Sequence, residues 1–171
     1  MFNNNQIDTD SLPKIEALDF KLISKNYFKI ILLNLALSYG VIISLMFTLK
    51  QFIKNTFFHT NFWYFIIVLI ILFLIQLFFY KLGFKKRKYA LREKDITFSH
   101  GYLSNSTTTL PFNRIQHLEI SRTFIARKLG LSTLKIYSAG ESGGDIIIKG
   151  LPKNIADSQY AFLTHILNER V

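Results

Sequence analysis

The chain has 171 residues, no cysteine and a formal net charge of +10; this allows one domain of ordinary size and excludes disulfides, thiol nucleophiles and thiolate metal sites. Its positive charge is concentrated: residues 81–94, KLGFKKRKYALREK, hold seven basic residues against one acid, whereas residues 95–171 carry a net charge of only +2. Charge gathered beside one segment argues against a nucleic-acid partner, whose binding surface needs cations along a whole face.

Residues 1–12, MFNNNQIDTDSL, are polar and rich in Asn, the composition of a flexible tail. Residues 13–29 space Ile15, Leu18, Phe20, Leu22 and Tyr27 among charges, which fits an interfacial approach to a membrane. Residues 30–49 and 61–80 are two uncharged runs of twenty residues. At about 1.5 Å per residue, each gives a helix of about 30 Å, the thickness of the bilayer's hydrocarbon core. They predict a transmembrane helical hairpin over residues 30–80.

A domain this small cannot bury two such helices on every side. The first run is not expected to be a cleaved signal, because about thirty residues precede it and no small-residue cleavage pattern follows Leu49. Phe62, Trp63 and Tyr64 at one end of the second run, with Phe78, Phe79 and Tyr80 at the other, form interfacial belts. Lys21, Lys25 and Lys29 precede the first run and the basic cluster follows the second, while the loop between them holds only Lys50 and Lys54. The excess of Lys and Arg predicts a multi-pass chain with both termini cytoplasmic. Asn34, Ser38, Ser44 and Gln76 are polar exceptions expected to face the other helix, a second copy of the chain or a neighbouring membrane protein.

Residues 81–88 read as a basic juxtamembrane linker in which Lys85, Lys86, Arg87 and Lys88 meet the bilayer and its anionic lipids. From residue 89 to 171 the pattern is that of a folded domain. Short stretches rich in Ile, Thr, Phe and Tyr, broken at Arg92–Asp95 and Gly101, predict successive strands. Pro111 lacks a backbone donor and marks a strand boundary. Ile115 lies on one face of the next strand and Leu118 and Ile120 on the other, so burying all three requires a bulge or a two-sided environment. Arg114 and Gln116 share a face and are expected to organise backbone groups at the sheet edge. Glu119 and Arg122 are close enough in sequence for a local salt bridge. Gly130 permits a tight turn that returns Leu131 to the core, and ESGGD at 141–145 is a turn. Ile155, Gln159, Phe162, Leu163, Ile166 and Leu167 recur at helical spacing, a stripe able to cover an open sheet.

No catalytic set emerges. His59, His100, His117 and His165 form no close ligand pair, and neither a G-x-S-x-G elbow nor a G-x-x-x-x-G-K-[ST] phosphate loop occurs. No enzyme activity, cofactor or metal is therefore expected. Arg122, Arg127 and Lys128 are the basic residues beyond the linker that are placed for contact with a lipid or an acidic partner.

The stretch LPFNRIQHLEISRTFIARKLGLSTLKIYSAG carries Pro111, Arg114, Ile115, Gln116, a basic residue at Arg127 or Lys128, Gly130, Leu131, Ala139 and Gly140, in that order, after the two apolar runs. It resembles the YdbS-like family of bacterial membrane proteins with a pleckstrin-homology-like domain, the bacterial PH domain. The resemblance implies an α+β protein of the bacterial cell membrane: a transmembrane hairpin, then a PH-like antiparallel β-barrel capped by a C-terminal helix. The expected function is that of a noncatalytic membrane-anchored module that scaffolds or regulates other membrane components. The alternatives are direct binding of anionic phospholipid headgroups and, more weakly, service as an accessory subunit of a transporter.

Overall fold

The computed structural model of the chain describes residues 18–101, 104–139 and 144–169. The expected tail over 1–12, the start of the approach segment, Gly140 and most of the ESGGD turn lie outside them. A two-residue strand β1 (Lys21–Leu22) leads into helix α1 (Tyr27–Phe52), which is joined through residues 53–55 to helix α2 (Thr56–Lys85). The Asn55 side chain accepts a hydrogen bond from the Phe58 N–H at 3.3 Å and caps α2. Only 11% of the most apolar window of either helix is buried within the chain, so neither is a core helix of this chain. Both are long and apolar enough to cross a membrane. They exceed the apolar runs at each end, and α2 carries Lys81 and Lys85 on its last turns.

The two helices touch through a few specific contacts. Tyr39 Oη donates to Gln76 Oε1 at 3.0 Å, and the Tyr39 and Phe73 rings meet edge to face at 5.3 Å. Gln76 thus faces the other helix, as a polar group in apolar surroundings should. Ser38 instead bonds its own helix, donating to the Leu35 carbonyl at 2.9 Å.

The remaining strands are β2 (Lys88–Leu91), β3 (Asp95–His100), β4 (Ser106–Pro111), β5 (Ile115–Ser121), β6 (Leu131–Ser138) and β7 (Ile146–Pro152), with a short helix α3 (Phe124–Lys128) between β5 and β6 and a terminal helix α4 (Lys153–Asn168). They form two antiparallel sheets, β1-β2-β3-β4 and β5-β6-β7. The expected barrel is not formed: among the described residues no ladder joins β4 to β5 or β7 to β1. A barrel requires an unbroken ring of strand pairing. Here β4 ends at Pro111, and a 3₁₀ turn over Phe112–Arg114 turns the chain into the second sheet.

One core joins the two sheets and α4. Ile96 and Leu110 of the first sheet meet Ile115, Leu134, Ile136, Ile146, Ile148 and Leu151 of the second, with Ala156 and Leu163 of α4. The β5–β6 register shifts between Ile115 and His117, the bulge that lets Ile115, Leu118 and Ile120 all reach this core. On α4 the buried residues are Ala156, Gln159 and Leu163; Ile155 and Phe162, expected in the stripe, lie at its exposed margin.

The domain is fastened to the base of α1. After β1, Ser24 N–H donates to the Gly150 carbonyl at 2.9 Å. Gly150 has φ +84°, and a Cβ there would stand 2.5 Å from Cβ and Cγ of Tyr27, so only glycine allows this approach. Ile30 of α1 forms a second small core with Ala126 and Leu131, flanked by Tyr27, Ile125 and Leu129. Helix α3 is thereby held against the first turn of α1.

Candidate functional site

Of the motif residues, Pro111, Arg114, Ile115, Gln116 and Ala139 lie at the passage from the first sheet to the second. Pro111 ends β4 opposite Asp95. The Arg114 carbonyl accepts from the Ala139 N–H at 2.8 Å, while Arg114 Nη2 donates to the Ala139 carbonyl at 3.3 Å. This clasp ties the start of β5 to the end of β6. Gln116 is the exposed bulge residue, without a partner in the register. Gly130 follows α3 with φ +66°, and its carbonyl accepts from the Lys153 N–H at 2.9 Å, while Leu131 is buried. These positions shape the fold and bring together no set of reactive groups.

The basic residues separate into three environments. Arg122 is used internally: its Nε donates to Ser132 Oγ at 2.8 Å, and its Nη2 to the Asp157 carboxylate of α4. Glu119, its expected partner, is held instead by Lys135 directly across the strands at 2.9 Å and by the Tyr137 hydroxyl at 3.2 Å. Arg127 and Lys128 are exposed on α3. Lys128 Nζ lies 4.7 Å from the centre of the Phe124 ring, and that ring is 64% exposed.

The third environment is the junction of the hairpin and the domain. Lys85 and Lys86 are exposed, whereas Arg87 and Lys88 are partly covered. Lys88 Nζ lies 4.1 Å from the Phe20 ring centre, and the Arg87 guanidinium 5.9 Å from that of Tyr27. Beside Arg87, a cleft of about 480 Å³ is lined by Lys25, Lys81, Lys85, Phe28 and Phe84, with Leu22 and Ile23 at its end. Lys25 and Lys81 had counted only toward orientation in the sequence, because nothing in their spacing shows that the hairpin brings them together.

The histidines stay apart. His59 Nε2 lies 2.8 Å from the Ile53 carbonyl, His100 stacks on Phe98, His117 stacks on Tyr137 at 4.1 Å, and His165 is 3.5 Å from Glu169. Among the described residues no group of three or more His, Asp or Glu is placed to hold a metal ion. A further cleft of about 490 Å³ lies between β2 and α4. There burial pushes the Tyr89 hydroxyl pKa up, partly opposed by its hydrogen bond with Gln159.

The model of the bacterial PH domain family matches residues 30–170, from the first turn of α1 through α4. The chain belongs to the bacterial PH-domain family. No curated protein and no solved structure matches it. Bacterial PH-domain proteins are noncatalytic modules. The match includes the apolar helices as well as the sheets.

Proposed function

We propose that this bacterial PH-domain protein is a multi-pass protein of the cell membrane whose domain, on the cytoplasmic side with both termini, scaffolds or regulates other membrane components. The observation that carries the reading is the joint. Only residues 86–87 separate α2 from β2, and Gly150 and Ala126 pack the domain onto Tyr27 and Ile30 of α1. A domain so joined follows any tilt or separation of the helices, and a partner gripping it acts back on them. The motif over 110–140 supports placing the chain in the YdbS-like branch of the family.

Two measurements test this reading. The natural chain has no cysteine, so single cysteines at Glu93 and Asn55 can be labelled in sealed cells with an impermeant maleimide. Labelling at Asn55 but not at Glu93 is expected, and the reverse pattern overturns the orientation. Crosslinking in membranes before mild-detergent purification should capture a second chain or a neighbouring membrane protein; capture of neither overturns the scaffolding role.

A second reading, contact of the domain with anionic lipid, is favoured by α3. Its exposed Phe124 and its Arg127 and Lys128 sit beside the first turn of α1, at the depth of the membrane surface if α1 spans. Arg122 is not part of that contact, because Asp157 and Ser132 occupy it. Phe124→Trp in a Trp63→Phe background should be quenched by brominated anionic lipid, and emission unaffected by the bromine would remove the reading.

A further inference from the structure

The cleft beside Arg87 combines two properties that are hard to keep in one place. Lys81 and Lys85 stand four residues apart on the last turns of α2, on one helix face, where like charges repel. Lys25 and Arg87 line the same cleft. Among the described residues none of the four has a carboxylate partner. The floor beneath the cations is apolar: the Phe28 and Phe84 rings meet edge to face at 5.4 Å, beside the buried Ile23.

We propose that this cleft binds one anionic phospholipid from the surrounding bilayer. The proposal rests on the membrane-anchored reading above. The lipid phosphate lies among Lys25, Lys81, Lys85 and Arg87, relieving their mutual repulsion, and the glycerol and first methylenes cover Phe28 and Phe84. Charge complementarity selects the occupant. A free inorganic anion would satisfy the cations and leave the aromatic floor wet, and an apolar helix would cover the floor and leave four cations without a counter-charge. Basic pockets at the cytoplasmic ends of membrane helices take lipid headgroups for the same reason. The cleft is formed by α1, α2 and the segment after β1 together, so a bound lipid would also brace the joint between hairpin and domain.

Native mass spectrometry of the full chain, purified in mild detergent and titrated with phosphatidylglycerol or phosphatidylcholine, tests the site. The expected result is one tightly held phosphatidylglycerol, bound in preference to phosphatidylcholine. Lys81→Gln with Lys85→Gln should weaken it about thirtyfold, Lys81→Arg with Lys85→Arg should retain it, and Lys94→Gln with Lys153→Gln, which removes the same charge elsewhere, should leave it within about twofold. Equal weakening by the two glutamine pairs would reduce the effect to a general field and overturn the proposal. So would equal affinity for the two lipids, displacement by millimolar inorganic phosphate, or a dimer that excludes lipid. Alkaline carbonate extraction separates the two failures: a chain released from membranes defeats the anchoring itself, whereas a chain that stays embedded yet holds no phosphatidylglycerol defeats only the site.

Discussion

Helices α2 and α4 both carry apolar residues at close spacing, but their surroundings differ. In α2 apolar residues lie all round, and only Phe62 and Ile66 of its thirty residues are buried within the chain. In α4 one face, with Ala156 and Leu163, is covered by the sheets, and the opposite face is polar. A one-sided stripe needs only a sheet beside it, whereas a helix apolar on every side needs an apolar surrounding that this chain does not supply. The domain is thus stabilised by burial against itself, and the hairpin by its environment. The two regimes meet at Gly150 and Tyr27.

The sharpest way to break the contrast is to disturb that meeting point. Gly150→Ala adds a methyl group 2.5 Å from Tyr27 at a residue with positive φ, which should destabilise the docked domain by about 4 kcal/mol. Chemical denaturation of the full chain in lipid nanodiscs, followed by circular dichroism, should show the sheets melting early while the helices persist. Simultaneous loss of both would mean that hairpin and domain fold as one unit. Next in size, Leu163→Ala empties a fully buried site on α4 and should cost about 3 kcal/mol. Leu45→Ala on the exposed surface of α1 should leave the domain's midpoint unchanged, and a comparable loss there would erase the distinction.

The contrast was legible in the sequence where composition alone decides the outcome. Two uncharged runs of twenty residues need no pairing information to be recognised as helices of membrane-crossing length. The bulge at Gln116 was legible only as one of two options: Ile115 on one face and Leu118 and Ile120 on the other called for either a bulge or a two-sided environment, and the register decides for the bulge. Barrel closure was not legible: it depends on whether β4 continues into β5 as a ladder, and the 3₁₀ turn at Phe112–Arg114 leaves no periodic signature. The ion pairs failed for a related reason. Sequence proximity favoured Glu119 with Arg122, but cross-strand register places Lys135 opposite Glu119, and Asp157 reaches Arg122 from 35 residues away. The cleft beside Arg87 likewise requires Lys25 to meet Lys81 and Lys85, which only the closed hairpin arranges.

A smaller effect sharpens the description of α3, which packs against Ile30 of α1. Gly130 ends α3 with φ +66°, and a Cβ there meets no atom within 4 Å. The cost of the added Cβ is backbone strain, which should amount to about 2 kcal/mol for Val, whereas Asn, which tolerates left-handed geometry, should cost less than half as much. Lys128→Ala, at an exposed position, should shift the midpoint by less than about 0.5 kcal/mol. Thermal unfolding of the three variants checks the ranking, and equal losses for Val and Asn would point to a packing role for Gly130 in place of a conformational one.

The smallest effect belongs to the Glu119–Lys135 pair, whose two side chains are partly exposed on the second sheet. The hydrogen bond from Lys135 holds the Glu119 carboxyl below its ordinary pKa, aided by the Tyr137 hydroxyl; the same bond to Glu119 raises the Lys135 ammonium. A carboxylate whose folded pKa is depressed contributes stability that is fully present above its unfolded value, near 4.5, and is lost as pH falls through the folded value. The lysine contribution is present below its unfolded value, near 10.5, and is lost as pH rises through the higher folded one. The melting temperature of the natural chain should therefore exceed that of Glu119→Gln by a small constant amount between about pH 6 and 9. The gap should narrow on acidification below about pH 4 and shrink in high salt. A gap that persists in acid would mean that Glu119 acts through packing and neutral hydrogen bonding, leaving its charge without a part in holding the sheet together.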